Sequence, residues 1–240
     1  MNIYEIRGIG ELLEGNRYPG RGIIVGCTKN NKAAVAYFIM GRSDNSRNRI
    51  FTEKGKDVYT EPFDASKVQD PSLIIYAAIR PLGNWLVVTN GNQTDTIIQA
   101  LSSGGTFESA LRTRAFEPDA PNFTPRISAM LTLSDPFTYE MSILKSADEK
   151  GTACNRYFYS YSALPGLGHF LHTYVCDGNP IPTFQGEPER VAVPDDIDAW
   201  TKEIWNALDE ENRISLYVRY IDLRSHAVEN RLMNKNGGAQ

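Results

Sequence analysis

The sequence predicts an α+β protein built mainly from antiparallel sheets. Along its 240 residues, short apolar segments alternate with turn signals at close spacing, which is typical of hairpins. Apolar residues then recur at intervals of three and four in the middle of the chain and again near residue 200, which indicates helices. Two sheets packed between two helix layers would account for this order, so we expect a four-layer αββα sandwich.

Three hairpins are predicted in the first ninety residues. The polar residues 28–32 separate the first pair of strands, Gly55 lies between the second pair, and residues 81–84 form the third turn. The paired segments are Arg21–Cys27 with 33–40, 49–52 with 57–60, and 73–79 with Trp85–Thr89.

Helices are predicted where the hydrophobic period changes. Thr94 and Asp95 are expected to cap the first helix, and Thr106 restarts a second one after two glycines. Pro194, followed by two aspartates, predicts the start of a late helix. Further strands are expected at 127–133, 139–145, 156–162, 170–175 and 215–223, with 234–240 as a frayed tail.

Composition narrows the class of protein. Acidic residues outnumber basic ones by 29 to 25, which argues against a nucleic-acid surface. No apolar run approaches the roughly 18 residues of a membrane span, and residues 1–5 do not resemble a signal peptide. We therefore expect a cytoplasmic protein without nucleic-acid or membrane partners. Residues 1–240 are expected to form one domain, with 178–194 as a long internal loop.

The cysteines and histidines are too sparse for a disulfide framework or a convincing metal site. Cys27, Cys154 and Cys176 are expected to be small buried side chains. His169 and His172 could share one helix face, but no carboxylate or thiol lies at a ligand spacing beside them. We expect structural or surface histidines and no metal.

Arginines are concentrated at the predicted strand ends. Arg21 enters the first strand, and Arg42, Arg47 and Arg49 follow the second strand among Ser and Asn residues. Guanidinium groups bind phosphate or carboxylate through paired hydrogen bonds, and Ser, Asn and backbone N–H groups complete such a shell. The cluster therefore indicates an anion site, although a solvated loop of arginines paired with acidic neighbours stays open.

Three further features could belong to a site. Asn90 lies in a polar loop before a helix, which is either an anion or amide site or simply a turn and cap. Three prolines stiffen 116–127, which could hold Glu117, Asn122 and Arg126 toward a pocket or merely route a connection. Tyr76 lies in an apolar strand, where a tyrosine usually belongs to the core with its hydroxyl tethered.

In order and spacing these residues resemble the stand-alone inosine monophosphate (IMP) cyclohydrolases of archaea and their longer bacterial relatives. The likeness runs from about Gly20 to Arg126 and is looser beyond. It is carried by Gly20-Arg21, Gly41-Arg42-Ser43, Asn48-Arg49, Tyr76, Asn90-Gly91, Thr94-Asp95, Glu117 and Asn122-x-Thr-Pro-Arg126-Ile. The resemblance implies a sandwich similar to the N-terminal-nucleophile hydrolases, although Met1-Asn2 offers no Cys, Ser or Thr nucleophile.

The resemblance also implies an activity: closure of formamidoimidazole carboxamide ribotide to IMP with loss of water, without a cofactor. It implies Arg49, Tyr76 and Glu117 as catalytic residues, and leaves open which of Tyr76 and Glu117 is the base. The substrate-binding residues it implies are Arg21, Arg42, Asn90, Asn122 and Arg126.

The loop 44–47 departs from the shorter archaeal pattern, which leaves the role of Arg47 open. A homo-oligomer fits the family. Two alternatives remain: an amidohydrolase acting on another amide, and a purine-nucleotide-binding module without catalysis.

Overall fold

The computed structural model of the protein describes residues 2–68 and 75–237 and has an α+β fold with two antiparallel sheets. In spatial order the six-stranded sheet comprises β11 (Glu189–Ala192), β10 (Leu167–His172), β1 (Arg21–Cys27), β2 (Lys32–Met40), β12 (Arg213–Asp222) and β13 (Val228–Asn234). The seven-stranded sheet comprises β3 (Ile50–Lys54), β4 (Asp57–Glu61), β5 (Tyr76–Leu82), β6 (Trp85–Thr89), β7 (Arg126–Thr132), β8 (Thr138–Ser146) and β9 (Cys154–Ser162).

Within the described residues the helices are few and short, and none is long and apolar enough to cross a membrane. They are α1 (Ile9–Leu13), α2 (Asp44–Arg47), α3 (Gln93–Ser102), α4 (Phe107–Arg112) and α5 (Ile197–Ala207), with a 3-10 turn at Ala65–Lys67.

Three buried hydrophobic clusters show how these elements pack. The first joins side chains of both sheets, the second joins the six-stranded sheet to α1 and α5, and the third joins the seven-stranded sheet to α3 and α4. Strand β2 shows the pattern clearly: Tyr37 belongs to the first cluster, whereas its neighbours Ala36 and Phe38 belong to the second. This alternation with period two is consistent with the expected sandwich.

The three predicted hairpins are confirmed, because β1 pairs with β2, β3 with β4, and β5 with β6. The third turn is shorter than expected. Pro81 lies inside β5 opposite Leu86, and Gly83, whose φ is +55°, forms the turn with Asn84. Pairing of β5 with β4 ends at Ile79, so the missing N–H of Pro81 leaves no ladder bond unmade on that side. Residues 73 and 74 of the predicted strand lie outside the described residues.

The predicted starts of α4 and α5 are confirmed. Thr106 and Ser109 form a reciprocal capping box, and the Asp196 side chain accepts two backbone N–H bonds at the start of α5. The expected capping role of Thr94 and Asp95 is wrong. Helix α3 begins at Gln93, and the Thr94 hydroxyl donates to the Ala77 carbonyl of β5 over 2.6 Å. Thr94 therefore ties the helix to the sheet.

Several elements were not predicted. Strand β11 lies within the expected loop 178–194, and β13 follows the strand expected to be last and takes the first residue of the expected tail. His169 and His172 lie on β10 rather than on a helix, and an odd spacing in a strand points them to opposite faces. Of the cysteines, Cys27 is buried, Cys154 is half-buried and Cys176 is exposed, so the expectation of burial is wrong for Cys176.

His169 predicts a pH-dependent stability. Its Nδ1 lies 2.6 Å from the Tyr139 hydroxyl, and burial lowers its pKa from 6.5 to about 4, with Arg190 adding to the effect. Between those two pH values the unfolded chain binds a proton that the folded protein does not. The unfolding free energy should therefore fall as the pH drops through this window, by up to about 1.4 kcal/mol per pH unit.

Urea unfolding of the wild type and of His169→Gln across this pH range tests the expectation. The variant should lose the His169 part of the slope, whereas a matched change at the exposed His226, His226→Asn, should keep it. Equal slopes in the wild type and His169→Gln would contradict the assignment.

Candidate functional site

The candidate site lies at one end of the layer between the two sheets. Arg21 begins β1 directly opposite Ile39 near the end of β2, and residues paired in this way point to the same face. Because Ile39 belongs to the inter-sheet cluster, Arg21 also points between the sheets. Tyr76, the first residue of β5, joins the same cluster from the opposite sheet. Strand ends of both sheets thus meet at the site.

A cavity of about 280 Å³ opens at this end. Five of the eight predicted site residues line it: Arg21, Arg42, Arg49, Glu117 and Asn122. The other lining residues are Tyr18, Ser43, Asn45, Ser46, Asp119, Thr124, Tyr174 and Ile181. The structure therefore brings together residues from β1, the loop after β2, the proline-rich segment and the loop after β10.

Arg21 and Arg49 are buried without hydrogen-bond partners for their side chains among residues 2–68 and 75–237. They are 8% and 6% exposed, and among the described residues the Nε atom of each is a buried donor without a partner. A buried charge is normally paired and hydrogen-bonded, because desolvation otherwise costs several kcal/mol. The two guanidinium groups therefore indicate that the cavity is built for an anionic ligand.

The surroundings shift the pKa values of Arg21 and Arg49 in opposite directions. Burial opposes the charge of Arg21, but electrostatic interactions, first with Tyr18 and then with Glu117, raise its pKa above the ordinary value. Burial and the neighbouring Arg21 lower the pKa of Arg49. Of these two arginines, Arg49 is therefore the one whose charge the ligand-free site compensates less well.

Glu117 is the buried carboxyl of the site and is 5% exposed. Burial raises its pKa above 4.5, and Arg21 and Arg126 partly offset the rise. Its backbone N–H donates to the Thr124 carbonyl over 2.9 Å, which fixes the proline-rich segment in place. A carboxyl with a raised pKa in a cavity is suited to both accepting and donating a proton near neutral pH.

Tyr76 is not among the residues that line the cavity. Its hydroxyl is 3.0 Å from the hydroxyl of Tyr37, which reaches it from β2 in the opposite sheet. Arg21, Arg49 and Arg126 lie close enough to Tyr76 for its charge to affect the pKa of each. Tyr76 therefore lies within the charged cluster of the site.

Arg126 and Asn90 also lie outside the cavity lining. Ile127 of β7 faces the inter-sheet core, so the preceding Arg126 points to the opposite face, where Nη1 donates to Gln93 Oε1 at 2.8 Å. Arg126 still approaches Glu117, with Nη1 3.9 Å from Oε1. Asn90 is almost wholly buried and accepts from the Ile127 N–H at 2.9 Å while donating to the Pro125 carbonyl. Its amide bonds join the loop before α3 to β7.

Arg42 and Asn122 lie at the mouth of the cavity. Arg42 pairs with Asp177, donates to the Gly178 carbonyl over 2.9 Å and covers the Tyr18 ring at 5.1 Å. Asn122 accepts from the Ile181 N–H at 3.4 Å. Arg47 bonds to Gly41 and Asn212 instead of lining the cavity, so it braces the loop around α2.

The sequence analysis did not predict the aromatic side of the cavity, which is formed by Tyr18 and Tyr174, or the polar residues bonded to it. Tyr18 and Tyr174 stack with ring centroids 5.8 Å apart, and the Tyr174 hydroxyl is 2.6 Å from Thr124 Oγ1. Thr124 donates its one hydroxyl proton to the Asp119 carboxylate, so Tyr174 must donate to Thr124. The phenolic oxygen of Tyr174 is thereby left as an acceptor. Only the Asn-x-Thr-Pro pattern gave a signal for this group, through Thr124.

A larger groove of about 750 Å³ lies between α5, β13 and β3. Its lining contains none of the predicted site residues, and its charged residues include the ion pair of Arg231 with Asp198. The smaller cavity, with its unpartnered buried arginines, is therefore the candidate site.

Comparison with known proteins points to the same part of the chain. A family model described as "IMP cyclohydrolase-like protein" matches residues 18–226, which include every residue of the cavity lining. The chain belongs to this family.

Curated IMP cyclohydrolases of archaea are among its relatives. The IMP cyclohydrolase of Methanococcus aeolicus is 27% identical over 163 residues, which are 66% of this chain and 75% of that protein. The IMP cyclohydrolase of Methanopyrus kandleri is 28% identical over 201 residues, which are 78% of this chain and 98% of that protein. The likeness to these IMP cyclohydrolases thus extends beyond Arg126 into the later strands.

The unpartnered state of Arg49 predicts a trade-off between stability and ligand binding. Replacing Arg49 by Met removes a buried charge that no described side chain satisfies. It should therefore raise the unfolding free energy of the ligand-free protein by about 1–2 kcal/mol, measured by urea denaturation. The matched control is Arg80→Met, because Arg80 bonds to Asp57, Asp95 and Tyr59 and its loss should destabilise the protein. A loss of stability in Arg49→Met as large as in Arg80→Met would contradict this account.

Proposed function

We propose that this protein is an IMP cyclohydrolase that closes formamidoimidazole carboxamide ribotide to IMP. The carboxamide nitrogen attacks the formyl carbon and forms the new C–N bond of the ring. The carboxamide nitrogen loses one of its two protons and the formamido nitrogen loses its own, so that a C=N bond forms to the formamido nitrogen. The former formyl oxygen gains both protons, and its bond to carbon breaks as it leaves as water. Family membership and the buried, unpartnered Arg21 and Arg49 beside Glu117 support this proposal.

The net positive charge of the site supports a phosphorylated substrate. Three buried guanidinium groups, those of Arg21, Arg49 and Arg126, interact with the buried carboxyl of Glu117, and the carboxylate of Asp119 also lines the cavity. With both carboxyls ionised, these five groups carry a net charge of about +1. A phosphate monoester carries about −1.5 to −2 at neutral pH, so it would complement this positive charge.

Glu117 and Tyr76 are the proposed acid and base. An amide nitrogen is a weak nucleophile, so a group that accepts its proton assists the attack. The hydroxyl of the tetrahedral intermediate then needs a proton in order to leave as water. Arg49 would polarise the formyl oxygen or interact with the oxygen of Tyr76. Both reacting groups belong to one molecule, so holding them in the attack geometry supplies much of the rate.

The remaining predicted residues would bind the substrate or fix the position of a residue that does. Arg21, Arg42 and Arg126 would bind the phosphate or the carboxamide, and Asn122 would contact a polar edge at the mouth of the cavity. For Asn90 we propose an indirect role, because its amide already bonds to Pro125, Ile127 and Gln93. Through Gln93, which also accepts from Arg126, Asn90 would fix the position of that arginine.

The detailed fold, the single domain and the cytoplasmic location are part of the same proposal. The packing of each sheet against its own helices supports an αββα sandwich similar to the N-terminal-nucleophile hydrolases. The family match over residues 18–226 supports one domain across the chain. A cytoplasmic location fits an enzyme of purine biosynthesis.

The acid and base roles predict the effect of two conservative changes. Glu117→Gln and Tyr76→Phe should each lower kcat by about 10²–10⁴, because each removes a proton-transfer group and little volume. Ring closure of the synthetic formamido ribotide, followed by ultraviolet absorbance, measures the effect, and circular dichroism checks that the variants fold.

Glu140→Gln is the matched control for the carboxyl. Glu140 is half-buried on β8 and burial raises its pKa too, but it does not line the cavity. This variant should keep the wild-type rate. A well-folded wild type that does not convert the ribotide would overturn the proposed function, and full activity in Glu117→Gln would overturn the role of that residue.

A further inference from the structure

Tyr37 is a buried polar group of the site that the reaction steps above do not use. It lies in the middle of β2, fully buried, with its ring stacked on Phe51 at a centroid distance of 5.3 Å. Within the described residues its hydroxyl has one hydrogen-bond partner, the hydroxyl of Tyr76, at 3.0 Å. A buried hydroxyl held by its ring in this way has little freedom to choose another partner.

The direction of this bond follows from the chemistry of Tyr76. Two neutral hydroxyls can share the bond in either sense, so the geometry of the resting pair leaves the donor undecided. An ionised Tyr76 has no proton to give, and its oxygen can only accept. Tyr37 must then be the donor, and a hydrogen bond to a charged oxygen is about twice as strong as one between neutral groups.

Tyr37 is able to keep its own proton while it donates. Burial, followed by the neighbouring Tyr76, raises the pKa of Tyr37 well above its ordinary value. The charged groups near the pair come from three elements: Arg21 on β1, Arg49 before β3 and Arg126 on β7. Glu117 is the carboxyl coupled to the same three arginines: burial raises its pKa, and Arg21, Arg126 and Arg49 each partly offset the rise.

We propose that Tyr37 is a positioning residue whose hydroxyl donates a hydrogen bond to the oxygen of Tyr76 whenever Tyr76 is ionised, and so favours that ionisation. Tyr37 keeps its proton throughout, and the only proton that moves is the one that Tyr76 exchanges with the substrate. It holds whether Tyr76 acts as the base, which is ionised before it accepts a proton, or as the acid, which becomes ionised after it donates one. The inference rests on the proposed function only in that Tyr76 takes part in the reaction.

Tyr37→Phe tests this inference because it removes the donor and keeps the ring. The limb of the pH profile of kcat/KM that belongs to Tyr76 should move to higher pH by about one unit, a tenfold change in the ionisation constant. KM should change little, since Tyr37 does not line the cavity. If Tyr76 is the base, activity at neutral pH falls; if it is the acid, activity extends to higher pH.

Tyr139→Phe is the matched control. Tyr139 is a buried tyrosine of the same inter-sheet cluster whose hydroxyl bonds to His169 instead of a residue of the site. It should leave the pH profile in place even if it lowers stability. A Tyr37→Phe profile that superimposes on the wild type after scaling, or a loss confined to KM, would overturn the inference.

A second readout separates this inference from the proposed activity. The ultraviolet phenolate titration of Tyr76 is obtained as the difference between the wild type and Tyr76→Phe, and the same difference is taken in the Tyr37→Phe background. Ionisation of Tyr76 should need a higher pH without Tyr37, even if the wild type does not convert the ribotide. An unchanged titration overturns the inference whatever the activity is.

Discussion

Two buried guanidinium groups without protein partners are the constraint on which the rest of the site depends. Arg21 and Arg49 lie close enough for the charge of Arg21 to lower the pKa of Arg49. Among the described residues neither side chain has a hydrogen-bond partner. Such an arrangement costs stability in the folded protein, so the surrounding structure has to hold it in place. A ligand with two negative charges converts that cost into binding free energy, which is the usual relation between strain and function at active sites.

The inter-sheet layer supplies the rigidity that the charges require. Antiparallel pairing aligns the start of β1 with the end of β2, and the start of β5 reaches the same end from the other sheet. The hydroxyls of Tyr37 and Tyr76 form a hydrogen bond across this layer, so the two sheets also meet through a polar contact. On the opposite face of β7, Arg126 is held by Gln93 of α3. The site therefore depends on the packing of both sheets and of one helix layer.

Local sequence patterns were sufficient for the hairpins and for the polar loops. Continuous apolar segments separated by the polar residues 28–32 predicted β1 and β2, and arginines at strand ends predicted three residues of the cavity lining, Arg21, Arg42 and Arg49. The later strands were harder, because β13 is an edge strand whose residues Val228 and Glu229 are exposed and carry no strong apolar alternation. The short helix α2 depends on a capping box between Ser43 and Ser46, a signal that the arginines around it obscured.

The aromatic part of the site could not be predicted, because it depends on contacts between distant segments. Tyr174 follows β10 and reaches Thr124 fifty residues earlier in the chain, and Tyr37 meets Tyr76 only after the sheets have packed. For Asn90 the polar loop predicts a contact with the substrate, and the structure adds bonds of its amide to backbone groups of neighbouring residues. In each case tertiary packing decided what a local pattern left open.

A crystal structure of the protein with IMP is the most direct test of the central claim that the unpartnered arginines bind a purine ribotide. The account predicts IMP in the cavity of about 280 Å³, with oxygen atoms of the ligand within hydrogen-bond distance of the guanidinium groups of Arg21 and Arg49 and with Glu117 beside the base. IMP bound in the groove between α5, β13 and β3, or bound without contact to either arginine, would contradict it.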